Sequence, residues 1–201
     1  MKKPTPTRIA DPLVKEMFQR FAVSVAQSGV PYAIGGAVAM AAYGYKRYTA
    51  DLDVFAMEEN RNEIMQALRK QGFAVEKVMA PFHYMAHLPG AEPGTRIDLL
   101  FPAADPDWSA VSFPEEAVIE GRTVNVFPIE LLVASKFYSN QAKDENDITS
   151  LYEIGAFDPE DVRVIIANYD QETAVEFEKF IASIGKPRAP RVRPTRKGKT
   201  P

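Results

Sequence analysis

The sequence predicts an α+β fold, a mixed sheet with flanking helices followed by a helical C-terminal subdomain. Three observations predict it. Up to residue 127, short apolar strand-like runs alternate with helical segments. From Pro128 onward every periodic segment has helical spacing. Composition supplies the third: 201 residues, 46% hydrophobic and 25% charged, suffice for one core with a small helical appendage.

The elements follow in order. Asp11-Pro12 pairs an N-cap with a proline suited to a first helical position, and Gly29 is a natural stop, so an amphipathic helix lies between them. PYAIGG (31–36) is a short strand ending in two glycines. The Ala-rich run 36–44 is helical, with Gly44 as its C-cap. DLDVFAM (51–57) is a strand, and 59–71 is a helix closed by Gly72. Strands are expected at 73–79, 83–88 and 96–101. A Pro- and Asp-rich loop surrounds Trp108, which is read as a loop anchor packing on the core. A hairpin over 117–127 turns at Gly121-Arg122. Helices are expected at 128–142, 144–154, 159–168 and 171–184, with caps at Asp158-Pro159 and Asp170. The domain reading is therefore an unstructured 1–8, a core at 9–127, a helical subdomain at 128–185 and an unstructured basic tail at 186–201.

Composition and charge narrow the function classes. The absence of cysteine excludes disulfides, thiolate metal sites and a Cys nucleophile. No run approaches the roughly 18 apolar residues of a membrane span. The opening MKKPTPTRIADP has two lysines but no apolar segment behind them, which is not a secretory signal. A cytoplasmic location with no membrane partner is the expectation. Residues 186–201 carry seven positive and no negative charges, and removing those seven from the net −3 leaves −10 on the rest. Such a tail is either a nucleic-acid-binding arm or a solubilising end.

Chemistry concentrates at a few positions. Gly35-Gly36 joins a strand to a helix, where glycines let the backbone approach a ligand or another chain segment closely. Asp51 and Asp53 stand at i and i+2 of a strand, so both carboxylates project from one face. Two like charges side by side call for compensation, by water at a solvent-facing strand edge or by a cation, for which Mg²⁺, hard and oxygen-binding, is the natural partner. Asp98 lies in the strand-like RIDLLF, either as a further acid of the same site or as the partner of Arg96. Lys136 falls on the apolar face of a helix with Ile129, Leu132 and Val133, so it needs a partner, either phosphate or the carboxylates of Asp51, Asp53 and Asp98. A Lys143–Asp147 pair at i, i+4 is the ordinary alternative beyond it. His83 and His87 share a strand face about 13 Å apart, so no zinc site is expected there.

Taken together, these residues resemble the nucleotidyltransferase superfamily, the polymerase-beta-like fold. The family pattern is a GG or GS pair, a DxD or DxE strand, and a third acid on a later strand. Here it reads IGGAVAMAAYGYKRYTADLDVF and then RIDLLF. RYTADLD looks like the R-x-T-x-D-[LI]-D form of AbiEii-type toxins and related small uncharacterised transferases. LLVASKFYSNQAKDENDITSLYE resembles that group's later motif, a helical lysine followed by K-D-x-x-D-[IL]. The resemblance covers about residues 30–155. Ala37 stands where many members place a serine, and Asn140-Gln141 where an arginine often precedes the KDxxD segment.

The resemblance implies a nucleotidyltransferase-like mixed sheet and transfer of an NMP from an NTP to a hydroxyl acceptor. Asp51, Asp53 and Asp98 would be the catalytic and metal-binding residues for Mg²⁺ or Mn²⁺. Gly35, Gly36, Arg47, Thr49, Lys136, Lys143, Asp144 and Asp147 would bind the nucleotide or position the acceptor. The acceptor would be RNA such as a tRNA 3′ end, a protein side chain or a small molecule. A cognate antitoxin is a further expected partner. The competing expectation is a catalytically silent nucleotide- or partner-binding module.

Overall fold

The computed structural model describes residues 7–79, 81–92 and 94–185. The tail at 186–201 and the first six residues, both expected to be unstructured, lie outside the described residues.

Asp11 caps the first helix, α1 (Pro12–Ser28), its carboxylate accepting from the amides of Leu13 and Val14. Gly29, in the left-handed region at φ 70°, closes it. A short strand, β1 (Tyr32–Ile34), leads through the glycine pair into α2 (Gly36–Ala42). There the expected range was too long, because Tyr43 rather than Gly44 ends the helix. Strand β2 (Asp51–Ala56) follows, then a 3-10 turn at Glu58–Asn60 and α3 (Arg61–Lys70). Three strands come next: β3 (Ala74–Met79), β4 (His83–His87) and β5 (Arg96–Leu100).

The segment around Trp108 corrects the sequence reading. It forms a helix, α4 (Asp107–Ser112), and Trp108 is 44% exposed rather than anchored in the core. The Asp105 carboxylate, one residue before the N-cap Pro106, accepts from the Ser109 amide in the first turn, so residues that resemble loop punctuation lead into a helix. The hairpin of β6 (Glu115–Ile119) and β7 (Arg122–Val126) turns at Glu120-Gly121, one residue earlier than expected. Both turn residues have positive φ, 48° and 77°, as a two-residue turn matched to strand twist requires. Thr7 extends this edge. It donates its amide to Val118 and accepts from Glu120, so the expectation of an unstructured 1–8 fails at Thr7.

Four helices complete the described residues: α5 (Ile129–Ser139), α6 (Ala142–Glu153), α7 (Pro159–Ala167) and α8 (Gln171–Ile184). The break between α5 and α6 falls at Asn140, at φ 49°, a left-handed conformation that Asn tolerates better than most residues. Asp158 and Asp170 cap α7 and α8 through the amides of Glu160 and Glu172, as expected.

The seven strands form one mixed sheet in the order β3-β4-β5-β2-β1-β7-β6. At its centre β2 runs parallel to β5 and antiparallel to β1. Burial alternates along β2: Leu52, Val54 and Ala56 are fully buried, while Asp51, Asp53 and Phe55 are partly open on the opposite face. The buried face joins Ile97 and Leu99 of β5 with Phe18 and Phe21 of α1 in a continuous core that also takes in Leu132 and Val133 of α5. Removing that apolar area from water holds the helices to the sheet. Among the described residues no helix is long and apolar enough to cross a membrane.

Candidate active site

Strand pairing assembles the acids. In the parallel β2–β5 ladder Asp51 stands opposite Arg96, and Asp53 opposite Asp98. One carboxylate oxygen from each of Asp51, Asp53 and Asp98 lies within 4.8 Å of the others. All three donors are carboxylate oxygens, the set a hard divalent cation takes. The electrostatics agree. Burial, followed by the negative charges of Asp51 and Asp98, pushes Asp53 up to about 6, while Lys136 and Lys143 pull the other way. A cation among the three acids would relieve the repulsion that holds Asp53 so high.

Each acid has its own support. The Thr49 hydroxyl hydrogen-bonds to the Asp51 carboxylate and also contacts its carbonyl at 3.3 Å. Thr49, expected to touch nucleotide, therefore holds the first carboxylate. Asp53 is supported by backbone. The Gly35 amide donates to its carbonyl at 2.9 Å, and Gly36 passes so near its carboxylate that a Cβ would stand 1.7 Å from Oδ2. A Cβ at Gly35 would meet the Phe55 ring at 2.7 Å. The glycine pair thus answers first to packing against β2.

Asp98 meets Arg96, whose Nε donates to both carboxylate oxygens at 3.0 and 3.1 Å. That bond raises the Arg96 pKa. Both sequence readings of Asp98 hold at once: it pairs with Arg96 and stands in the acidic trio. His83 was missed. Its Nε2 lies 2.8 Å from Asp98 Oδ1. The signal for it is the antiparallel β4–β5 pairing, which has no local sequence mark.

The remaining predicted residues form a second cluster. Lys136 is buried, and its Nζ bonds Asp144 Oδ1 at 2.6 Å and Asp147 Oδ2 at 2.8 Å. Its hydrogen-bonded partners are carboxylates of α6 and not those of the trio, which corrects the sequence reading of Asp51, Asp53 and Asp98 as its carboxylate partners. Arg47 reaches across from the loop before β2 and engages both oxygens of Asp147 at 3.0 and 3.3 Å. The Ser139 hydroxyl holds Asp144 Oδ2. Lys143 is exposed and makes no ion pair among the described residues, so the Lys143–Asp147 alternative is absent.

No family model matches the chain, and no curated protein matches it by sequence. Solved structures do. The solution structure of the antibiotic-resistance factor ANT(2'')-Ia matches with a TM-score of 0.53 at 18% identity, over 84% of this chain and 90% of that one. A crystal structure of ANT(2'')-Ia in complex with adenylyl-2''-tobramycin matches at 0.51 and 16% identity, over 86% and 99%. An antigenic nucleotidyltransferase-like protein from Paracoccidioides brasiliensis matches at 0.53 and 15%, over 90% and 96%. The chain has the nucleotidyltransferase fold, with its seven-stranded mixed sheet and flanking helices.

Proposed function

We propose that the chain is a divalent-metal-dependent nucleotidyltransferase that moves an NMP from an NTP to a hydroxyl acceptor. The observation that carries this reading is the convergence of Asp51, Asp53 and Asp98 on adjacent strands of that fold. These three carboxylates would hold Mg²⁺ or Mn²⁺, which when bound supplies charge neutralisation at the phosphates. Asp98 completes that site or accepts the proton of the attacking hydroxyl. The acceptor oxygen attacks the α-phosphorus, the bond to pyrophosphate breaks in line, and the products are the NMP-modified acceptor and pyrophosphate. Gly35 and Gly36 let the backbone approach the phosphates, and Arg47, Lys136 and Lys143 supply positive charge.

The acceptor is a hydroxyl of an RNA 3′ end, a protein side chain or a small molecule. The excess negative charge outside the basic tail favours a cationic acceptor. The RYTADLD and KDENDI motifs support an AbiEii-like, toxin-type role with a cognate antitoxin.

The test offers the protein each α-labelled NTP with Mg²⁺ or Mn²⁺, together with total RNA, lysate protein and cationic hydroxylated small molecules. An Asp51→Ala/Asp53→Ala variant runs alongside. Label transfer by the wild type alone is the expected result. Transfer that persists in the variant would move the site elsewhere, and no transfer or pyrophosphate release under any condition would favour a silent binding module.

A further inference from the structure

Asp144 and Asp147 are 4% and 2% exposed, and protein donors occupy all four of their carboxylate oxygens. Asp144 Oδ1 accepts from Lys136 and Oδ2 from Ser139. Asp147 Oδ1 accepts from Arg47 Nε, and Oδ2 from Lys136 Nζ and Arg47 Nη2. Carboxylates this enclosed present nothing to a ligand. The cations they hold are different. Lys136 Nζ spends two of its three donors on these acids. Arg47 spends two of its five on Asp147 and one on the Tyr48 carbonyl, and its side chain remains 32% exposed. Arg47 also stands four residues before Asp51, and the positive charge of Lys136 acts on Asp53.

We propose that Asp144 and Asp147 are positioning residues that fix Lys136 and Arg47 beside the acidic trio and do not themselves contact nucleotide. The cluster contains two positive and two negative groups, so two buried acids stabilise two cations at a site that must receive phosphate. The inference rests on the nucleotidyltransferase reading only in naming phosphate as what those cations meet. That one bidentate pair of hydrogen bonds orders the Arg47 guanidinium is independent of it.

The full-length chain is compared with Asp147→Asn, Arg47→Ala and the double variant. Calorimetry with Mn²⁺ measures binding of ATP, GTP, CTP and UTP, and separately of inorganic tripolyphosphate. Each single variant is expected to weaken both ligand types about tenfold, the size of one charge-assisted hydrogen bond lost. The double variant is expected to be no more than about twofold weaker than Arg47→Ala, because Lys136 keeps Asp144 when Asp147 is lost and the remaining effect of Asp147 runs through Arg47. Multiplying losses would overturn the proposal, as would a loss confined to nucleotides with tripolyphosphate binding intact. The Arg47 Nε–H resonance is the second readout. It should shift toward solvent-exposed values in Asp147→Asn and be kept in Asp147→Glu, which also serves if the Asn variant does not fold. An unchanged resonance in Asp147→Asn would sink the inference even if the protein transfers nucleotides. Failure of the wild type to bind any NTP or tripolyphosphate would remove the nucleotidyltransferase reading, and the resonance would still decide the role of Asp147. Asp144→Asn against Lys136→Met is read in the same way.

Discussion

A Cβ at Gly36 would stand 1.7 Å from Asp53 Oδ2, so the turn after β1 touches the central carboxylate of the site. Gly36 also has φ +55°, a conformation that side chains other than glycine rarely adopt. Gly36→Ala therefore has two expected effects. Backbone strain lowers stability by about 1 kcal/mol or more. The methyl also displaces the Asp53 carboxylate, weakening Mn²⁺ binding beyond what lost stability explains. Urea melts and Mn²⁺ titration at saturating folded protein separate the two, and unchanged metal affinity in a folded variant would show that the contact does not place Asp53.

Asp53 titrates at about 6, well above its ordinary value, because burial and two neighbouring acids oppose its charge. The folded chain thus holds this proton more tightly than the unfolded chain. The stability linked to Asp53 is fully present at low pH and is lost as pH rises through about 6. Without metal, the wild type should lose stability relative to Asp53→Asn between about pH 4 and about pH 7. Metal binding must displace the same proton, so Mg²⁺ affinity should rise up to about tenfold per pH unit below about 6 and level off above it. A difference between wild type and variant that stays flat across this range would contradict the assignment.

Lys136 lies between two buried acids. Lys136→Met removes the only cation bonded to Asp144 among the described residues, while Asp147 keeps Arg47. A buried charge left unpaired is strongly destabilising, so a loss of about 3 kcal/mol is expected at neutral pH. Denaturant melts of the wild type, Lys136→Met and Lys136→Met/Asp144→Asn measure it, and a loss that the second substitution leaves unrepaired would point to packing instead.

Asn140 sets where α6 begins and therefore where Asp144 and Asp147 meet Lys136. At φ 49°, Asn140→Gly should change stability by no more than about 0.5 kcal/mol, whereas Asn140→Ala should cost about 1 kcal/mol. If the two variants melt alike, the left-handed break does not hold the helices in place.

Much of this was legible in sequence because its causes are local. The caps at Asp11, Asp158 and Asp170 act within one helical turn of themselves. Strand alternation put Asp51 and Asp53 on one face before any partner was known. Local signals also misled where one motif serves two purposes: Asp105-Pro106 punctuates a loop or starts a helix, and here it starts α4. Thr49 was read toward the ligand and the glycine pair toward a ligand or another chain segment; their contacts in the fold are to Asp51, Asp53 and Phe55.

By itself the sequence determined the α+β layout, the acidic pair on one strand face, and the residue types available for phosphate and metal. Tertiary structure alone decided that Asp53 faces Asp98, that His83 joins Asp98, and that Lys136 and Arg47 close on Asp144 and Asp147. The physical reason is range. Helix caps and strand faces follow from bonds between near neighbours, whereas strand register and the pairing of buried charges are chosen by the whole fold as it removes apolar surface from water.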